Sequence, residues 1–193
     1  MSKKQIEKII GIDYGSKLAG TSAICFAEEG KLKINQSEKK RDADKFILDF
    51  CRVFNPELVF IDAPLSLPAA YFEDQADDYF YRAADRATQA MSPMFIGGLT
   101  ARAMKLRATL IKQSCEVLET YPKQLVLLLA LNNYYKKDLT SFKNALQKFN
   151  DFELPIFKNW HQADAALAYT SASRYINGNC QIIGEQTEGR IFI

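Results

Sequence analysis

The chain has 193 residues, 48% hydrophobic and 25% charged, an ordinary globular composition whose length suits one domain with a sizeable core. A formal charge of only +2 excludes binding to nucleic acid by overall basicity, so any such surface has to come from local clustering. Four well-separated cysteines without a Cys-x-x-Cys pair read as buried thiols of a reducing cytoplasm. The first eight residues lack an apolar signal core and the longest apolar run, Leu125 to Leu131, is too short to span a bilayer, so a cytoplasmic protein without membrane contact is expected.

Taken in order, the first landmark is Ile9 to Gly20, where a β-branched run ends on a lone acid, Asp13, and Gly15 lets the chain turn. A carboxylate at the end of a buried strand is costly unless it is hydrogen-bonded or holds a cation. Ala19 to Ala27 is small and β-branched, Glu28-Glu29-Gly30 is a turn, and Lys31 to Asn35 alternates with period two, so the first three strands form an antiparallel meander. Residues 42 to 54 place Ala43, Phe46, Ile47, Phe50, Cys51 and Phe54 at helical spacing, with Asn55-Pro56 as the stop. Leu58 to Ile61 is a continuous apolar run, the pattern of a strand buried on both faces, and it too ends on an acid, Asp62. Strand, crossover helix and strand imply a parallel pair, which brings Asp13 and Asp62 to one carboxyl edge, where open α/β sheets place their sites.

After the stiff Ala63 to Pro68 loop, the acidic and aromatic segment Tyr71 to Ala90 reads as a helical insertion, and Gly97-Gly98 as a break. Residues 99 to 113 form a helix whose Arg102, Lys105 and Lys112 make its wet face, and Cys115 to Thr120 is a strand with Glu119 near its end. Lys123 to Asn132 and Thr140 to Phe149 are two helices with a basic joint at Lys136-Lys137. A final helix from about Asn159 to Tyr175 carries His161 and Asp164 on one face, with Ala165, Ala168 and Ala172 permitting close approach to the sheet. Gly189 to Ile193 is expected as a short edge strand.

Asp13, Asp62 and Asp164, with Glu119 as a fourth acid, therefore come from strand ends and one closely packed helix. Hard cations such as Mg²⁺ or Mn²⁺ take oxygen ligands, and two of them about 4 Å apart serve phosphodiester hydrolysis without a protein nucleophile. The bland readings are that Asp13 caps a turn, His161 is a surface residue and Glu119 is a solvated strand end. Arg82, Asp85 and Arg86, with Asp78, would by default be a surface salt-bridged helix; the functional reading is that the arginines grip substrate phosphate.

The element order and Gly11 to Lys17 resemble the ribonuclease H-like fold and the first-strand motif of RuvC-type Holliday-junction resolvases, and His161-x-x-Asp164-Ala165 is similar to their final-helix motif. Ile61 to Pro68, Arg82-x-x-Asp85-Arg86, Glu119 to Pro122 and Asp164-Ala165 together resemble a domain-of-unknown-function family of predicted nucleases of that fold. The resemblance implies a mixed sheet of a meander plus parallel strands, flanked by helices. By carry-over Asp13, Asp62 and Asp164 hold Mg²⁺ or Mn²⁺ and Glu119 and His161 join them in catalysis; Arg82 or Arg86 would engage phosphate of DNA or RNA, and a two-fold homodimer is the commonest assembly. The second acid is Asp62 where the resolvases have a glutamate. A non-catalytic nucleic-acid-binding module and an actin-like nucleotide-binding phosphotransferase are the alternatives.

Overall fold

A computed structural model describes residues 8–193. Strands β1 (Ile9–Asp13), β2 (Ala23–Glu28) and β3 (Lys31–Gln36) form the expected antiparallel meander. Helix α1 (Ala43–Phe54) follows, capped by the Asp42 carboxylate at its start and ended by Asn55 in the left-handed region. It crosses to β4 (Leu58–Asp62), which pairs parallel with β1. A short 3₁₀ turn (Ala69–Tyr71), α2 (Ala83–Thr88) and α3 (Gly97–Ile111) lead to β5 (Glu116–Glu119), parallel to β4. Helices α4 (Pro122–Leu128), α5 (Leu139–Gln147) and α6 (Trp160–Ile176) and strands β6 (Ile182–Ile183) and β7 (Ile191–Phe192) complete the chain.

All seven strands form one sheet in the order β3-β2-β1-β4-β5-β7-β6. A meander extended by parallel strands, with a long helix laid across its centre, is the ribonuclease H-like fold. Parity divides the core. Ile10, Ile12, Val59, Ile61 and Val117 face α1 and α3, packing on Ile47, Leu106 and Leu110. Ile9 and Phe60 face α6, whose Ala165, Ala166 and Tyr169 meet them. Contact there is close because β1 carries a glycine: a Cβ on Gly11 would stand 2.1 Å from the Tyr169 backbone nitrogen.

Several expectations change. The insertion contains the end of the 3₁₀ turn and the six-residue α2, and most of the rest is irregular chain, since residues 71–80 are almost all exposed and bury no helical stripe. Gly97 and Gly98 open α3 instead of breaking the chain. The tail is not the edge: β7 lies between β5 and β6, and the two-residue β6 takes the border. No helix among the described residues is long and apolar enough to cross a membrane.

Candidate functional site

β1 and β4 end level, with Asp13 paired to Asp62 across the parallel ladder. Side chains alternate along a strand, so Asp13 shares the face of Ile9 and Gly11, and Asp62 that of Leu58 and Phe60. That is the face α6 covers, and Asp164 lies in the first two turns of α6. The three carboxylates thus belong to one side of the sheet, Asp13 and Asp62 at its carboxyl edge and Asp164 on the helix that covers that side.

Each has a different neighbourhood. Asp13 Oδ2 lies 2.8 Å from His161 Nδ1. Asp164 accepts hydrogen bonds from Tyr135 Oη at 2.8 Å and Lys136 Nζ at 2.7 Å. Among the described residues no donor bonds the Asp62 carboxylate, which is the most strongly perturbed of the three. Burial pushes it well above the usual range, and the charges of Asp13, Asp164 and Glu119 push it further. Burial also raises Asp13, against the hydrogen bond from His161, and Asp164 adds to the rise. His161 is raised in turn, first by its hydrogen bond to Asp13.

Lys136 is the neighbour of the cluster that sequence reasoning missed. Its ammonium lowers both Asp13 and Asp62 as well as pairing with Asp164, so it lies in the field of all three acids. It also sits 4.8 Å from the Tyr135 ring centroid and 5.4 Å from that of Trp160. Its backbone has φ 58°, a left-handed conformation costly for a residue with a side chain. A Lys-Lys joint between helices signals a turn, but nothing in the pattern says which lysine folds back over the sheet edge.

Two residues expected in the chemistry are engaged elsewhere. Arg82 is fully buried and spends all five N–H donors internally: on both Asp85 oxygens, both Glu119 oxygens and Ser66 Oγ, at 2.6 to 2.9 Å. It has none left for a substrate phosphate. Glu119 also accepts from the Leu65 backbone N–H at 2.8 Å. The physical reason is parity: Glu119 shares the face of Val117, which packs with α3, while the three aspartates lie on the α6 side. Arg82, Asp85 and Glu119 therefore pin the insertion to β5, and neither the surface salt bridge nor the phosphate grip describes Arg82. Arg86 does make the surface pair, with Asp78, and stacks over Tyr81. Arg102 leaves the wet face of α3 to bond both Asp44 oxygens, at 2.7 and 3.0 Å, and the Gly15 carbonyl at 3.2 Å. That ties α3 and α1 to the turn after Asp13.

The donor set fits a hard divalent cation in kind: three carboxylates from three elements, two of which, Asp13 and Asp62, are disfavoured as anions. As the side chains stand, no three His, Cys, Asp or Glu among the described residues converge as metal ligands. Asp164 is instead held by the Lys136 ammonium.

The fold and the cluster define a ribonuclease H-like protein with an acidic carboxyl edge. No protein-family model and no curated protein matches the chain, so the motif resemblance to a family of unknown function has no matching model behind it. Among solved structures it is similar to Thermus thermophilus RuvC in complex with Holliday junction substrate, at 15% identity over 91% of this chain and 98% of that one, with a TM-score of 0.47. The yeast mitochondrial Holliday junction resolvase Ydc2 is similar at 16% identity over 86% of this chain and 77% of that one, with a TM-score of 0.45.

Proposed function

We propose that the protein is a divalent-metal-dependent phosphodiesterase acting on nucleic acid. The observation that carries this reading is the register pairing of Asp13 with Asp62 beside Asp164, three buried-edge carboxylates whose charges oppose one another. Asp13, Asp62 and Asp164 would hold Mg²⁺ or Mn²⁺, which when bound supplies Lewis-acid stabilisation of phosphoryl oxygens and a more acidic water. Asp13 orients the His161 ring through Nδ1, which leaves Nε2 as the atom that accepts a proton from the attacking water. Lys136, which pairs with Asp164 beside the cluster, would offer its positive charge to a substrate oxygen nearby.

Calorimetric titration of Mn²⁺ into the wild-type chain, Asp13→Asn and Asp62→Asn tests the reading, alongside cleavage of labelled DNA and RNA. Binding and cleavage lost together in both variants support it. Full metal-dependent cleavage by Asp13→Asn would falsify it.

A second reading has its own observation. The Lys136–Asp164 pair already neutralises part of the cluster without any cation, as a module that binds nucleic acid without cutting it would require. That reading expects oligonucleotide binding to be indifferent to Asp13→Asn and no Mn²⁺ uptake at millimolar concentration.

A further inference from the structure

Of the eight arginines in the chain, five pair with a carboxylate and Arg174 donates to the Asn179 carbonyl. Among the described residues, Arg107 and Arg190 make neither kind of contact, and both line the same cavity, of about 220 Å³. Arg107 comes from the exposed side of α3, and Arg190 immediately precedes β7. Gln186 adds an amide, and Leu65 and Ser66, from the loop that follows Asp62, form another wall. Glu119 also borders the cavity, with its two oxygens held by Arg82 and the Leu65 backbone N–H.

We infer that this cavity is an anion site that takes a backbone phosphate of the nucleic-acid substrate, an inference that rests on the function proposed above. Guanidinium is the side chain suited to bidentate phosphate binding, and two of them facing one hollow without an internal counter-ion lack the anion that the other arginines have. The location agrees. β7 is two strand spacings from β4, roughly 10 Å across the sheet, so the site is within reach of a strand held at the three aspartates. It sits on the α3 side, so a bound strand would cross the sheet edge from the acids to the arginines. The cluster would engage the scissile phosphate, and the arginines would fix its register.

The test is salt-dependent binding of a labelled oligonucleotide, without metal, to the wild-type chain, Arg107→Gln, Arg190→Gln and the double variant, with Arg107→Glu as a charge reversal. Because both arginines serve one phosphate, each single variant should weaken binding by about tenfold and the double by little more. The slope of log affinity against log salt should shrink by about 0.7 to 0.9, the value for one phosphate. An unchanged affinity and slope in the double variant overturns the site. A slope loss near twice that value, with additive single effects, means two separate surface charges and overturns it too. Titration with inorganic phosphate separates the remaining source: if phosphate binds and the double variant abolishes this while oligonucleotide affinity is untouched, the cavity serves a small free anion and the nucleic-acid assignment falls. Mn²⁺-dependent cleavage that still requires Asp13 would keep the proposed function standing in any of these cases. No oligonucleotide binding and no cleavage, with or without Mn²⁺, overturns both.

Discussion

Replacing Arg82 strands two buried carboxylates, so Arg82→Met should cost about 3–5 kcal/mol in urea unfolding. Arg86→Ala, whose pair with Asp78 is exposed, should leave the midpoint where it is. The sequence motif linking residues 82, 85 and 86 is the same for both arginines, and a helix-surface rule treats them alike. What separates them is a partner 37 positions away, Glu119, that no local spacing reveals. His161 offers a cleaner measurement, since it is the chain's only histidine. Its imidazole should titrate above 6.5 by NMR and return toward that value in Asp13→Asn, because the Asp13 hydrogen bond is the largest cause of the rise. The folded value being the higher one, the stability this pair contributes is complete below about pH 6.5 and is lost as pH rises through the folded value.

At the scale of elements, the site depends on how closely α6 lies on β1. Gly11→Ala would push a methyl into the Tyr169 backbone and to 2.5 Å from the Ala165 carbonyl oxygen. Backbone cannot yield as a side-chain tip can, so the cost should be about 3 kcal/mol, read as a lower urea midpoint, with metal affinity falling as Asp164 moves away. This much was legible from residues alone: the alanine stripe announced a close approach, and the two apolar runs ending on aspartates announced a shared edge. The parity of Asp13 and Asp62 was legible as well, since each lies an even number of places from the residues that face α6. Glu119 could have been assigned to the opposite face by the same count from Val117, had the strand's two glutamates not left its end ambiguous. The insertion was less accessible, because an acidic, aromatic stretch carries helical spacing whether or not there is a surface for it to pack on. The position of β7 inside the sheet was not legible either, since two residues pair equally well at a border or within.

Across the whole molecule, the acid cluster opposes folding. Asp62 titrates higher in the folded state than in the unfolded chain, so its contribution is fully present below about pH 3.8 and is lost as pH rises through the folded value. Asp62→Asn should therefore stabilise the metal-free protein at neutral pH, by about 1 kcal/mol or about 3 °C in thermal midpoint. A cation bound to the folded state alone should do the same for the wild-type chain: Mn²⁺ at a hundred times its dissociation constant adds about 2.7 kcal/mol. The Asp62→Asn midpoint should not respond to Mn²⁺. Arg82, Asp85 and Glu119 place the opposite kind of charge cluster on the next strand, two carboxylates held by one guanidinium. The level ending of β1 and β4 also constrains how such a chain can drift over generations. A single inserted or deleted residue within Ile9–Asp13 or Leu58–Asp62 would turn one aspartate to the wrong side of the sheet, while the loops that follow can lengthen freely. Descendants of this chain should differ greatly in the size of the segment after Asp62 and hardly at all in the length of the two short strands before it.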